Sequence, residues 1–297
     1  VSATDEHAER FTLLRPLLFT IAYEIIGSAT EADDVLQDSY LRWAAVDLAE
    51  VRDTKAYLAQ LVTRQALNTL RAETRRREDY VGPWLPEPLL LDEHDASADV
   101  VLAESVSMAM LVVLETLSPD ERAVFVLREV FGFSHDEIAS AIGKSTAAVR
   151  QMAHRAREHV QSRRKRFEPV DPQQSAELTT RFLAAAATGD VEGLMAMLAP
   201  DVVFTSDSDG KVSAARRPVL GASKVARLIA GLMNLAGPEY RIEVAAYNSA
   251  PALVVYEDDA PVSVITVEII DGKITNFYAM RNPEKLASAT VRREISR

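Results

Sequence analysis

Cysteine is absent from the whole chain, which excludes disulfides, thiolate zinc sites and cysteine nucleophiles and fits a reducing compartment. No apolar run approaches the roughly 20 residues of a membrane-spanning helix, and the first ten residues are mostly polar, unlike a signal peptide. A cytoplasmic protein without a membrane partner is therefore expected. Histidine is missing from the C-terminal part, since His7, His94, His135, His154 and His159 all precede it. Lysine and arginine are missing from residues 79–104, where seven acids stand alone: Asp79, Glu87, Asp92, Glu93, Asp95, Asp99 and Glu104.

What is present fills several domains. A chain of 297 residues exceeds one small core, and 48% hydrophobic with 26% charged residues is ordinary globular composition. The net charge of −11 opposes nonspecific nucleic-acid binding by the molecule as a whole. Local charge differs: from Lys144 to Arg166 eight basic side chains face the single acid Glu158.

Apolar residues recur at helical spacing from Phe11 to Arg77, as in Leu14, Leu17, Leu18, Ile21 and Ile25, and predict three helices. Gly27 ends the first, Ser28 or Thr30 caps the second, and the third starts near Asp53. Gly82, Pro83, Pro86 and Pro88 make residues 81–99 poor helix material, read as an extended linker. Helical pattern resumes near Val100. Ser118-Pro119-Asp120-Glu121 and Ser134-His135-Asp136-Glu137 are capping boxes, and Gly143 turns the chain into a helix running to about Arg166, a helix-turn-helix candidate. After Pro172, helices over 175–188, 191–198 and 223–235 alternate with strands over 202–205, 240–247, 252–256, 262–270 and 274–280, the last two joined by an Asp271-Gly272 turn.

In the helix from Thr146, Val149, Ala153, Ala156 and Val160 form a buried stripe. The opposite face and the helix start carry Thr146, Ala147, Arg150, Gln151, His154 and Arg155, side chains suited to base edges and phosphates, while Arg157 and residues 163–166 add cations for phosphate. An exposed basic helix without a reading function is the plain alternative, and the capping box, glycine turn and stripe favour DNA. Asp33, Asp34, Gln37 and Asp38 share a face of the second helix; Arg64, Asn68 and Arg71 lie on a basic strip of the third. Residue type alone leaves both faces open between solvated surface and contact site.

Residues 33–43, Asp-Asp-Val-Leu-Gln-Asp-Ser-Tyr-Leu-Arg-Trp, resemble region 2 of the extracytoplasmic-function sigma factors. Residues 131–150 with His154-Arg155-Ala156-Arg157 resemble their region 4. This resemblance implies that Asp33, Asp34, Gln37 and Asp38 meet the clamp helices of the largest subunit of RNA polymerase core, with the flap a further contact. It places Arg64, Asn68 and Arg71 near the promoter −10 element and the helix from Thr146 in the −35 major groove. Met152 departs from the pattern at a place where arginine is frequent, which implies one lost −35 contact. Trp84-Leu85-Pro86-Glu87-Pro88, residues 207–212 (Asp207, Asp209, Gly210 and Lys211 among them) and Asn282-Pro283-Glu284-Lys285-Leu286 are similar to motifs of the subgroup with a fused SnoaL-like domain. Ser208 replaces a glycine usual there.

The implied protein is multi-domain: two all-α sigma domains, a region 2 helical bundle over 5–78 and a region 4 helix-turn-helix over 101–167, an acidic proline-containing linker over 79–100, and a C-terminal α+β SnoaL-like (nuclear-transport-factor-2-like) cone over 171–290. Its expected function is promoter-specific transcription initiation, with the last domain as a built-in regulator touching Trp84 and, through Asp207, Asp209, Gly210, Lys211, Asn282 and Pro283, the sigma half. A small-molecule ligand in the cone is a candidate partner; no cofactor, metal or enzymatic activity is expected. The acidic linker, as a flexible strand, would mimic RNA charge in the polymerase channel. Two rivals remain: a helix-turn-helix regulator acting without polymerase, for which the face at Asp33 has no use, and a SnoaL-like enzyme, whose candidate acids or bases are Asp207, Asp209, Glu243 and Glu268.

Overall fold

The computed structural model describes residues 3–91, 99–163 and 171–297. Helices α1 (Ala3–Ile26), α2 (Ala29–Trp43) and α3 (Thr54–Arg76) form the first bundle. Their ends follow the local chemistry. Gly27 turns with φ +79°, and a Cβ there would come within 3.1 Å of Glu115, Arg122 and Trp84 side chains. Ser28 accepts from the Glu31 N–H and caps α2; Asp53 accepts from the Ala56 N–H and caps α3.

The linker then enters the sheet of the C-terminal domain as β1 (Leu90–Leu91). Helices α4 (Val100–Ser105), α5 (Met108–Leu114), α6 (Pro119–Phe125, continued by a π-turn at Val126–Val130), α7 (His135–Ile142) and α8 (Thr146–Arg163) follow. Both capping boxes close reciprocally, and Gly143 ends α7 in the left-handed conformation. These helices share one apolar cluster with α1–α3, and Leu89, Leu91 and Ile295 join it from the linker and the C-terminal end.

The C-terminal domain contains α9 (Pro172–Thr188), α10 (Val191–Met197), β2 (Leu198–Asp207), β3 (Val219–Leu220), α11 (Ala222–Leu235), β4 (Tyr240–Tyr247), β5 (Ala250–Glu257), β6 (Ala260–Ile270), β7 (Lys273–Met280), α12 (Pro283–Leu286) and β8 (Arg292–Arg293). The sheet order is β3-β2-β7-β6-β5-β4-β1-β8, antiparallel except for the β2–β7 and β1–β8 pairs. Asp271 and Gly272 both have positive φ, as a two-residue hairpin turn needs. The central strands β5–β7 are buried on both faces, while β4 is largely exposed. Leu253, Val267, Phe277 and Ala279 pack under α9–α11, whereas Ala252, Val254, Val264, Tyr278 and Met280 alternate to the other side and pack with Leu85 and Met108 of the N-terminal half. This is the α+β arrangement that the resemblance implied.

The expected flexible acidic strand is corrected by this packing. Leu85, Glu87, Leu89 and Leu91 are buried, and Glu87 is consumed in hydrogen bonds rather than solvated. Asp99 caps α4 and pairs with Arg297. Asp92, Glu93 and Asp95 lie outside the described residues, as do Arg164, Lys165, Arg166 and the tether at residues 167–170. None of the described helices is long and apolar enough to cross a membrane.

Candidate promoter-reading surfaces and the linker grip

Helix α8 has the two faces read from its sequence. Val149, Ala153, Ala156 and Val160 are buried. Met152 is buried with them, so this departure from the pattern faces the domain core. Ala147, Arg150, Gln151, His154, Arg155 and Arg157 are exposed on the other side, and Thr146 at the start is half-buried. Thr146 donates its hydroxyl to Asp136 at 2.6 Å; Arg155 pairs with Glu121 at 3.2 Å, Arg157 with Glu129 at 2.6 Å and His154 with Glu158 at 3.2 Å. These pairs hold the cations on the helix surface while Arg150 and Gln151 project outward.

The basic strip of α3 is differently placed. Arg64 donates to the carbonyls of Ala141 and Ser140, at 3.0 and 2.8 Å, in the last turn of α7, where the helix end concentrates negative partial charge. Arg71 meets Asp120 at 2.6 Å, and Asp120 also meets Lys144 at 3.0 Å. Partial burial works against ionisation of Asp120, but the hydrogen bonds from Arg71 and Lys144 outweigh it and hold its carboxyl below the usual range. Asn68, one turn along, is exposed. On α2, Asp34, Gln37 and Asp38 are exposed, while Asp33 pairs with Arg15 at 3.2 Å and with Arg293 of the C-terminal end at 2.8 Å.

The densest polar site lies between the linker and the C-terminal domain. Asp207, fully buried at the end of β2, accepts from the Tyr80 hydroxyl at 2.5 Å, the Leu85 N–H at 2.7 Å and the Lys285 ammonium at 2.7 Å. Lys285 also donates to the Leu85 carbonyl at 2.7 Å and lies 4.0 Å from the Trp84 ring centre. The Arg77 guanidinium also sits 3.4 Å from the same ring centre. Burial lowers the Lys285 pKa, against the pull of Asp207, and burial with the Asp207 bond raises that of Tyr80. Asn282 donates to Tyr80 at 2.8 Å and caps α12, with Pro283 at its first position. Asp209 accepts from the Val81 N–H at 3.2 Å, and Lys211 ties Asp209 to Glu284 at 3.0 and 2.7 Å. Gly210 has φ +67°, and a Cβ there would stand 3.1 Å from Val81, so a side chain would push the linker away. The structure thus brings Trp84, Asp207, Asp209, Gly210, Lys211, Asn282 and Pro283 together.

Several members of this grip were not singled out by the sequence. The Glu87 carboxylate accepts from Ser28, from the Ala29 and Thr30 N–H groups at the α2 N-terminus, and from Ser288, at 2.7 to 3.1 Å. Asn248 exchanges two hydrogen bonds with the Leu89 backbone and donates to the Tyr23 hydroxyl and the Val106 carbonyl, at 2.8 to 2.9 Å, so one side chain touches the first helical bundle, the linker and the second helical domain. Its signal was the polar Asn248-Ser249 pair between two strands, both with positive φ. Glu87 and Lys285 stood inside recognised motifs without a partner.

A helical bundle followed by a helix-turn-helix with an outward basic helix defines the sigma-70 class of promoter-reading proteins, and the comparisons agree domain by domain. The model for sigma-70 region 2 matches residues 11–76 and that for sigma-70, region 4 matches residues 107–160. The ECF RNA polymerase sigma factor SigJ of Mycobacterium tuberculosis is 38% identical over 295 residues, 95% of this chain and 94% of that one. A probable ECF RNA polymerase sigma factor, SigI of the same species, is 29% identical over 274 residues, 92% of each. The crystal structure of the M. tuberculosis extracytoplasmic function sigma factor SigJ superposes with a TM-score of 0.76 at 34% identity, covering 96% of this chain and 100% of that one. The chain belongs to the extracytoplasmic-function RNA polymerase sigma factors. Its activity is promoter-specific transcription initiation with RNA polymerase, and its partners are the core enzyme and promoter DNA.

Proposed function

We propose that the C-terminal domain is a built-in regulator of this sigma factor, which grips the linker and so sets the spacing of the two promoter-reading halves. The observation that carries this reading is the buried Asp207, bound at once to Tyr80, Leu85 and Lys285. In the same reading, Asp33, Asp34, Gln37 and Asp38 meet the clamp helices of the largest polymerase subunit, and the helix-turn-helix meets the flap. Arg64, Asn68 and Arg71 serve the −10 element; Arg150 and Gln151 read −35 bases, with Thr146, Ala147, His154, Arg155 and Arg157 beside them. Work in the cytoplasm follows from these partners.

The bonds of Arg64 and Arg71 to the helix-turn-helix domain, and of Asp33 to Arg293, support a resting arrangement from which these side chains are released when polymerase and promoter bind. An enzymatic role for the last domain draws no support from its carboxylates. Asp207 and Asp209 face the linker, Glu243 pairs with Arg241 at the surface and Glu268 bonds to Thr275 and Asn276. None of the four lines the cavity of about 460 Å³ enclosed by α9, α11 and the sheet.

Transcription assays with core polymerase test the reading. Removing residues from Asp171 onward should change promoter activity while footprints over the −35 element persist. Equal activity of truncated and full-length protein across promoters and salt concentrations would sink the regulatory role.

A further inference from the structure

Strands β2 and β7 have two faces, and the linker grip uses one. Asp207, Tyr278 and Met280 turn towards the sigma half, while Phe204, Ser206, Phe277 and Ala279 turn the other way. That second face lines a cavity of about 460 Å³, within the range of small-molecule sites. Phe182 and Ala186 of α9, Ile229 and Met233 of α11, and Leu253 and Ile265 of the sheet form its apolar walls.

Its polar groups gather at one end. Ser206 pairs with Ala279 across β2–β7, and Val264 pairs with Met280 across β6–β7, so Ser263 and Arg281 adjoin one step further along. All three side chains line the cavity. Ser263 is buried and its hydroxyl has no hydrogen-bond partner in the structure, a costly state unless a ligand completes it. Arg281 reaches the Ser213 carbonyl with one guanidinium nitrogen and is the charged residue of the lining, which includes no carboxylate. A ligand anion there meets a cation and a hydroxyl donor, and no carboxylate is part of the lining.

We propose that this cavity binds an amphiphilic monocarboxylate, its apolar body against the α9, α11 and sheet walls and its carboxylate accepting from Ser263 and Arg281. The site stands independently of the regulatory reading, since binding is decided by the cavity alone. Because the same two strands carry Asp207 on their other face, occupancy also has a short path to the linker.

Calorimetric titration of the full chain with decanoate and with decanol tests it. Decanoate should bind saturably at one site. Ser263→Ala and Arg281→Gln should each weaken decanoate about tenfold, as for a charge-assisted hydrogen bond, and leave decanol within about threefold. Val255→Trp, which fills the cavity, should abolish both, with Ala279→Leu as a second filling variant and thermal unfolding to verify each fold. No saturable decanoate binding, equal response of acid and alcohol to the head-group variants, or unchanged binding in both folded filling variants would each overturn the proposal.

Discussion

At the linker, Asp207 and Lys285 side chains are 0% and 10% exposed, whereas at the contact between α3 and the helix-turn-helix domain Arg71, Asp120 and Lys144 are 46%, 23% and 38% exposed. The first pair cannot part without leaving a charge buried and unmatched, which costs several kcal/mol. The second cluster parts into water, where each ion is rehydrated and the loss is about 1 kcal/mol or less. Packing follows the same division. Leu85 is sealed between Met108 and the sheet, but a cavity of about 370 Å³ opens between α3 and α7, lined by Tyr57, Gln60, Leu127, Phe133 and Ile138. The difference teaches where the molecule loosens first: the exposed contact of α3 with Asp120 and Lys144 opens more cheaply than the linker leaves the C-terminal domain.

The largest expected effect follows from breaking the buried side. Asp207→Ala leaves Lys285 buried beside Trp84 and the Leu85 N–H without its acceptor, and should cost about 3–5 kcal/mol in urea unfolding. A loss under about 1 kcal/mol would mean that water already reaches the node, and the contrast between the two contacts would fall with it.

Glu24 supplies a buried acid of another kind, at the joint between α1 and α4. Burial pushes its carboxyl up to about 8, although the Ser105 hydroxyl, 2.7 Å from Oε1, and the Arg122 charge pull it back. The native state therefore keeps a proton that the unfolded chain releases above its ordinary value. Stability from this group should be full below about pH 4.5 and decline up to about pH 8, by at most about 1.4 kcal/mol per pH unit. Glu24→Gln should flatten that slope in thermal melts between pH 5 and 8, by the same arithmetic. An unchanged slope would show that the carboxyl is ionised in place.

On α8 the same comparison is drawn within one helix. Arg150 and Gln151 project outward, so Arg150→Ala or Gln151→Ala should cost about 1–3 kcal/mol at one or two −35 positions and little elsewhere. Arg163→Ala, at the end of the helix, should weaken all sequences alike. Uniform losses from both sets, read with a promoter library and holoenzyme, would show that the outward face does not read bases.

Much of this was legible because it is local. The two capping boxes, Gly27, Gly143 and the α8 stripe each lie within a few residues, and each appears where its spacing put it. The two-residue strands β1, β3 and β8 were not legible, since two residues carry no alternation and pair only because distant partners exist. Glu87 was counted as one more acid on a solvated strand; its burial depends on the α2 N-terminus, some sixty positions upstream, arriving beside it. Lys285 stood in a quoted motif, yet its counter-ion Asp207 stood in another, and no period links them. For the promoter surfaces, sequence named Arg64 and Arg71 but could not say that α7 carbonyls and Asp120 occupy them in this arrangement.

The smallest expected effect tests the exposed side. Asp120 bridges Arg71 of α3 and Lys144 of the helix-turn-helix, so Asp120→Asn removes this one charge attraction across the contact while keeping the side-chain shape. Because all three groups are wet, the cost in unfolding should be about 0.2–1 kcal/mol. It should shrink further as salt shortens the screening length from about 8 Å at physiological strength to about 3 Å at 1 M. Its pH dependence has a fixed sign: the Asp120 carboxyl is held low, so its contribution is present above the ordinary carboxylate value, about 3.9, and is lost as pH falls through the lowered one. Hydrogen exchange along the α3 surface at Arg71 should rise in the Asn variant more than global stability falls, as for a local opening of an exposed contact. Arg64, bonded to uncharged carbonyls, should keep its contribution in salt where Arg71 does not. If Asp120→Asn instead costs as much as Asp207→Ala, and salt leaves that cost intact, then the cluster at α3 is as tightly sealed as the linker node and the halves do not part there.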